Sequence, residues 1–330
     1  MKEKLITRGK KVLVTGGAGF IGSHVVDFLM KNGLEVNVLD NLSGGSKENL
    51  SRWLENEKFK LFIGDCLRRE DIRKAIKDCC IVFHLAANAE VRVGSKDTKV
   101  DLEQNIIATH NILEEIRYSD VTNTIIFTST STVYGDASII PTPEDYGPLK
   151  PISLYGASKL ACEAMISAYS HLFGVKAVIY RFANIVGPRS RHGVIWDFIH
   201  KLTINPRELE ILGDGTQSKS YLHVSDCVEA FIVGLRAVKE GFDVFNVGSE
   251  DRVDVNTIAR IVIEEMGLED VKLRYKIDVN GGRGWLGDVK FMLLDISKLK
   301  SLGWRPRCNS AESIRLATRE ILTELRFRHK

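Results

Sequence analysis

The chain is short of the features that mark secreted, membrane-spanning and nucleic-acid-binding proteins. Six cysteines occur in 330 residues, at Cys66, Cys79, Cys80, Cys162, Cys227 and Cys308. None forms a CxxC pair or a Cys/His cluster with zinc spacing, and adjacent Cys79 and Cys80 are poorly placed to bond each other. No metal site is expected; buried, reduced thiols in a cytoplasmic protein are. No apolar run reaches the roughly 18 residues of a membrane helix. The charged stretch Met1 to Lys11 leads into an apolar run that breaks at Gly16, which is not the layout of a secretory signal. Lys and Arg number 46 against 43 Asp and Glu, a formal net charge of +3. That balance gives no case for nucleic acid or a membrane surface as partner.

What is present is an ordinary globular composition, 44% hydrophobic and 27% charged. The length suits two domains, or one large domain with an appendage. Short apolar, β-branched runs at 11–15, 35–40, 59–64, 81–86, 124–130 and 176–182 read as strands. Most are continuous rather than alternating, as strands covered on both faces should be. Helical patterns lie between them at 20–32, 70–78, 100–119 and 154–173, and Gly33 and Gly174 stand just past two of these. Such alternation predicts an α/β fold with a doubly wound parallel sheet. After Ala183 the texture changes, with breaks at Gly187-Pro188 and Gly213-Asp214-Gly215. A run at 242–247 returns to the sheet as a strand. Helices follow at 255–266, 296–302 and 311–326, with a Gly-rich loop at 281–287. The second, smaller domain therefore interleaves with the first.

The run Val12-Leu-Val-Thr-Gly16-Gly17-Ala18-Gly19-Phe20-Ile21-Gly22 follows a strand and opens a helix. Gly16 and Gly19 suit a tight turn and close approach of backbone to a pyrophosphate, and Gly22 suits close packing of helix on strand. The helix N-terminus offers free N–H groups to phosphate oxygens. Asp40 ends the second strand eighteen residues after Gly22, where a carboxylate would bond the adenosine ribose hydroxyls and repel a 2′-phosphate. The expected cofactor is therefore NAD rather than NADP. Asp65, after the third strand, is open between the adenine edge and a plain loop or capping acid.

Tyr155 and Lys159 open a helix at a spacing that puts phenol and ammonium on one face. The ammonium should lower the phenol pKa towards neutrality, as a proton shuttle at a sugar hydroxyl requires. Phe127-Thr-Ser-Thr130-Ser-Thr-Val-Tyr134-Gly ends a strand of the same sheet, where ligands sit in open α/β folds. Ser129, Ser131 and Thr132 are open between this site and simple turn formation.

With TGGAGFIG, Asp40-Asn41-Leu42-Ser43, His84-Leu-Ala-Ala87, the Thr130 run and Tyr-x-x-x-Lys in view, the chain resembles an extended short-chain dehydrogenase/reductase. It is most similar to the nucleotide-sugar epimerases, in particular archaeal-type UDP-glucose (UDP-galactose) 4-epimerases. The likeness continues through Arg181-Phe-Ala-Asn184, Gly213-Asp-Gly-Thr-Gln-Ser-Lys219 and Asp295-Ile-Ser-Lys298 to Gly303-Trp304. The resemblance implies a Rossmann domain for NAD at 1–183 and 221–247, and a nucleotide-sugar domain at 184–220 and 248–330. It implies Tyr155 as the base at the sugar 4-hydroxyl, Lys159 as its helper and nicotinamide-ribose ligand, and Thr130 as a hydrogen-bond partner of the same hydroxyl. Asn105 would support this site. Around the cofactor it adds Phe20, Ile21, Asn41, Ser43 and Gly44 near the phosphate loop. Further along it adds Cys66, Leu85, Ala86, Ala87 and Thr128. Asn184, Lys219 and residues near Arg283 would hold the diphosphate, with Arg189 or Arg191 as alternatives to Arg283 and a solvated role open for each arginine; Asp288 would be a further substrate-binding residue. Lys219 stands where many relatives carry Arg, keeping the charge without the bidentate geometry. His192 and His223 are candidates for lining the same pocket.

Epimerisation, dehydration and decarboxylation of nucleotide sugars share this apparatus. Dehydratases of the family carry Asp-Glu after the reacting threonine, and decarboxylases place Glu at the second of those positions. Ser131 and Thr132 stand there, so epimerisation of UDP-glucose and UDP-galactose through a 4-keto sugar is expected, with NAD retained. Met292 would gate the space beside the sugar's C2 and is open between admitting and excluding an N-acetyl group. Arg92 is open between the surface and a uronate carboxylate. A UDP-sugar is the expected small-molecule partner, and relatives of this kind imply a homodimer through the helices near 100–119 and 154–173.

Overall fold

The computed structural model describes residues 10–88, 90–277 and 281–328. In chain order its strands are β1 (Lys11–Thr15), β2 (Glu35–Asp40), β3 (Phe59–Ile63), β4 (Cys79–His84), β5 (Thr124–Thr130), β6 (Lys176–Phe182) and β7 (Asn184–Val186). They continue as β8 (Glu208–Leu212), β9 (Ser218–Lys219), β10 (Tyr221–His223), β11 (Phe242–Val247), β12 (Val253–Asp254), β13 (Lys272–Lys276) and β14 (Phe291–Met292). The helices are α1 (Phe20–Lys31), α2 (Arg69–Ile76), α3 (Thr98–Asp101), α4 (Ala108–Arg117) and α5 (Leu154–Phe173). After these come α6 (Val194–Ile204), α7 (Val224–Ala237), α8 (Val255–Glu265), α9 (Ser297–Ser301) and α10 (Ser310–Arg328).

The chain forms two compact units. The first takes the residues up to Val133, then Leu154–Arg181 and Val228–Phe245. Its seven-stranded sheet has the order β11-β6-β5-β4-β1-β2-β3. β1 pairs in parallel with both β2 and β4, so the chain reverses direction across the sheet at the carboxyl ends of β1 and β4. Ligands of doubly wound sheets gather at that crevice. Val12, Leu13, Val14, Val36, Val38, Val82 and Phe83 are fully buried, which is why these strands read as continuous apolar runs. Helices α2, α4 and α5 bury Ile72, Ile112, Leu113 and Ile166 in the core cluster that contains Leu13 and Val82. Tyr180 of β6 donates to the Phe231 carbonyl of α7 at 2.7 Å and stacks on Phe245 of β11.

Two elements differ from the sequence reading. The strand expected at 81–86 is Cys79–His84, because Cys79 pairs beside Lys11 at the start of the ladder. The single helix expected at 100–119 is α3 and α4 joined by a π-helical stretch, Leu102–Ile107. Single-turn π insertions inside α-helices occur frequently at functional sites.

The second unit takes Tyr134–Ser153, Phe182–Cys227 and Asn246–Lys330. β7 pairs in parallel with β10, and β8 with β13. β9 lies between antiparallel β12 and parallel β14. Ile199 and Leu202 of α6, Ile258 and Val262 of α8, and Ile314 and Ala317 of α10 share one apolar core. The sequence boundaries put 134–153 with the first domain; that segment clusters with the second unit instead. The reason lies in its backbone: Thr142 N–H donates to the Leu293 carbonyl and Asp295 N–H to the Thr142 carbonyl, both at 2.9 Å. No helix among the described residues is long and apolar enough to cross a membrane.

Candidate active site

The loop after β1 is shaped by its glycines. Gly16 has φ +67°, and a Cβ there would lie 2.7 Å from the Ala86 nitrogen. A Cβ at Gly22 would collide with the Gly16 carbonyl, so this glycine serves the loop's closure rather than contact with a strand. Helix α1 then starts with no side-chain cap and no acid in its first turn. Its first N–H groups thus keep the polarity that favours an anion. Gly45, which the sequence reading passed over, belongs to the same packing: a Cβ there would meet the Ala18 backbone at 2.7 Å. Phe20 and Ile21 are half-buried, Phe20 packing edge-on to His24 with ring centroids 5.9 Å apart.

Asp40 is buried at the end of β2. Its two oxygens accept from Ala18 N–H and Leu42 N–H, each at 2.8 Å. Burial pushes its carboxyl up and those two N–H donors pull it back. One acceptor site per oxygen stays available for a ribose hydroxyl. Asn41 donates to Asp65 at 3.0 Å and accepts from the Ser43 N–H and hydroxyl, and Gly44 is exposed. Asp65 also accepts from Leu67 N–H at 2.8 Å, the pattern of a loop acid. Asn41, Ile63, Gly64, Asp65, Leu67 and Arg68 line a cleft of about 460 Å³. Cys66 is buried beneath it, and burial, with Asp65, Asp40 and Asp71 nearby, pushes its thiol up. On the other side of β1, Leu85 and Ala86 donate to the Thr15 carbonyl and hydroxyl at 3.2 Å, with Ala87 half-buried beyond. The glycine cradle, the uncapped helix start and the Asp40 carboxylate together fit a dinucleotide.

Tyr155 and Lys159 lie in the first turns of α5. The Lys159 ammonium is buried, donates to the Thr128 carbonyl at 3.0 Å, and stands 4.7 Å from the Phe127 ring centroid and 5.9 Å from that of Tyr155. Burial lowers Lys159 to about 8. The Tyr155 phenol is raised rather than lowered. Packing around the half-buried ring pushes the phenol up, and the Asp101 and Cys162 charges add to this. Thr130, at the end of β5, has its hydroxyl 3.1 Å from that of Thr132. Asn105, in the π-helical stretch, donates to the Ser158 hydroxyl at 2.8 Å, and Ser158 donates to the Tyr155 carbonyl at 2.8 Å. Asn105 thus reaches Tyr155 through one side chain.

Several polar residues around this site went unread in the sequence. Asp101 is buried and accepts from Asn88 at 2.9 Å and Asn105 at 3.2 Å. Glu163 and Arg181 form a buried ion pair that also engages Ser129. A signal was present for the pair: Arg181 sits inside the apolar strand KAVIYRF, and Glu163 stands one turn after Lys159. His84 lies between the hydroxyls of Thr15 (2.7 Å) and Thr109 (3.0 Å). His223 is buried against Glu320 at 2.9 Å and Ser225 at 2.8 Å, while His192 is exposed.

The residues expected at the diphosphate lie in the second unit. Lys219 is paired with Asp288 at 2.5 Å, and Asp288 also accepts from Gly284 N–H. Arg283 forks onto Asp136 at 2.9 and 3.1 Å and donates to the Asp288 carbonyl. Asn184 donates to the Ser220 carbonyl at 3.2 Å. Arg191 lies over the Trp196 ring at 4.9 Å, and Arg189 has φ +67° with its N–H on Glu324. Met292 is buried on β14. Among the described residues no His, Cys, Asp and Glu group has the make-up of a metal site.

Known proteins place this geometry in a class. The model of the NAD dependent epimerase/dehydratase family matches residues 12–248, and the chain belongs to that family. Within it the chain falls among the nucleotide-sugar 4-epimerases. A Methanocaldococcus jannaschii protein provisionally named UDP-glucose 4-epimerase is 34% identical, over 92% of this chain and 96% of its own. A solved UDP-galactose 4-epimerase is 44% identical with a TM-score of 0.85, covering 96% of this chain and 99% of that one. The UDP-glucuronic acid 4-epimerase of Bacillus cereus, solved with UDP-glucuronic acid and NAD, is 29% identical with a TM-score of 0.84, over 95% and 99% of the two chains.

Proposed function

We propose that the protein interconverts UDP-glucose and UDP-galactose through a 4-keto sugar, with NAD held through turnover. The observation that carries this reading is Lys159, which bonds the Thr128 carbonyl two residues before Thr130 and stands 5.9 Å from the Tyr155 ring centroid, with hydroxyls rather than acids at Ser131 and Thr132. Bound NAD supplies the acceptor, and later the donor, of the hydride at C4. Tyr155 takes the proton of the 4-hydroxyl as C4 becomes a carbonyl and returns it when C4 is reduced. The Lys159 ammonium favours the phenolate form of Tyr155, and the Thr130 hydroxyl bonds the oxygen that loses the proton. Rotation of the keto sugar about its link to the diphosphate presents the opposite face, so the configuration inverts with no net redox change. Gly16, Gly19, Gly22 and Asp40 are proposed to hold the dinucleotide. Lys219 and Arg283 are proposed to hold the diphosphate; each now faces a carboxylate, so binding exchanges one anion for another.

The choice of a neutral hexose is supported by the 44% identity to a UDP-galactose 4-epimerase. It is also supported by Arg92, whose guanidinium pairs with Glu90 at 2.8 Å. A UDP-uronate reading draws on the Bacillus cereus relative; under it Arg92→Ala would damage turnover of UDP-glucuronate selectively. UDP-N-acetylhexosamines are the other alternative, with Met292 as the gate. A cytoplasmic homodimer is proposed, supported by the exposed apolar Leu102, Ile107, Leu172 and Phe173.

The direct test incubates purified protein with UDP-galactose and follows UDP-glucose with no NAD added. Interconversion is expected; failure with every UDP-hexose overturns the reading. Tyr155→Phe should lower turnover by about 10²- to 10⁴-fold and leave bound NAD unchanged.

A further inference from the structure

We infer that Glu163 and Arg181, acting through Ser129, are positioning residues that set Lys159 and Thr130 for proton transfer. The inference rests on the reading above that Tyr155, Lys159 and Thr130 carry the reaction.

Glu163 and Arg181 are buried in the first unit. Arg181 Nε lies 3.0 and 3.2 Å from the two Glu163 oxygens, and Nη2 lies 2.7 Å from Oε2. The Ser129 hydroxyl donates to Oε1. Stability alone is a poor reason for such a pair. Apolar side chains of the same volume often stabilise a core as well or better, because two charges need not be desolvated. What the pair supplies is direction. The planar guanidinium fixes the carboxylate, and the carboxylate then fixes one hydroxyl on β5.

That hydroxyl belongs to the residue between the two chemical positions. Side chains alternate along a strand, so Ser129 faces away from Thr128 and Thr130. The peptide joining Thr128 to Ser129 carries the carbonyl that accepts from Lys159 at 3.0 Å. The next peptide sets the Cα of Thr130. Pinning Ser129 therefore fixes both planes. On α5, Lys159 and Glu163 are four residues apart and share a face. The helix is fastened to adjacent strand residues at two points one turn apart, and Arg181 ties the second point to β6. A slip of α5 along β5 would break both. The Glu163 charge also favours the Lys159 ammonium.

The test uses whichever UDP-sugar the wild-type protein turns over. Ser129→Ala removes the tether and leaves the ion pair intact. It should lower kcat by about 10- to 100-fold, with KM, bound NAD and melting temperature close to wild type. Glu163→Gln with Arg181→Met removes both charges together, so neither is stranded. Adding Ser129→Ala to that pair should cost no more than twofold further, the non-additivity of a single unit. A Ser129→Ala kcat within twofold of wild type overturns the inference. So does a loss of kcat matched by falling NAD content and melting temperature. If the paired variant does not fold, Ser129→Ala decides alone. A wild type inactive on every UDP-sugar, or an active Tyr155→Phe, overturns the underlying reading instead.

Discussion

Tyr155 and Lys159 share a helix face, and burial drives their proton affinities apart. The phenol goes up and the ammonium comes down to about 8. Burial holds the proton on the phenol, and a cation nearby favours the phenolate instead. Lys159→Met should therefore move the acid limb of the kcat–pH profile to higher pH by about one unit or more. A profile that stays in place would remove Lys159 from the proton step. Gly22→Ala puts a methyl group against the Gly16 carbonyl, where backbone cannot yield. The purified variant should carry little NAD and melt several degrees lower, as absorbance and calorimetry would show. These residues were legible in the sequence because their chemistry admits few substitutes and their spacing is local. Glu163 and Arg181 were legible only singly, as charges at apolar positions, and not as a pair. Its members lie eighteen residues apart on different elements, and only the packing of α5 on the sheet brings them together.

At the level of elements, β1 and β4 meet α4 through one imidazole. His84 is buried between Thr15 and Thr109, and burial, with the Lys159 charge, lowers it from 6.5 to about 3. A depressed folded pKa means that the unfolded chain binds the extra proton. The stabilisation is whole above about pH 6.5 and is lost as pH falls towards about 3. His84→Gln should flatten the fall of melting temperature over that range relative to wild type. Equal slopes would show that other groups govern acid sensitivity. The parallel strands of the first unit were legible because burial on both faces leaves an unbroken apolar run. The π-helical stretch was not, since one extra residue in a turn leaves the hydrophobic pattern nearly unchanged. It shows only in what it re-aims, Asn105 towards Ser158. In the second unit, strands of two or three residues such as β9, β12 and β14 carry too little pattern to be seen.

The whole chain passes between its two compact units five times, at residues 133/134, 153/154, 181/182, 227/228 and 245/246. The return of 242–247 to the sheet was legible as a late apolar run. The departure of 134–153 was not, because its partners, Leu293 and Asp295, lie far along the chain. The proposed dimer predicts sedimentation at twice the chain mass. Leu102→Asp with Leu172→Asp should halve it by placing charge on exposed apolar positions, and an unchanged mass would point to another interface. β11 is an edge strand that covers β6, and it is made last. A fragment of residues 1–190 should accordingly aggregate rather than show a cooperative melt. During synthesis the same gap is a matter of time. The nascent chain exposes the β6 edge while residues 183–247 are being added, on the order of several seconds at typical elongation rates. Over that interval the growing polypeptide depends on ribosome pace and on chaperones to keep an unsatisfied strand from finding the wrong neighbour.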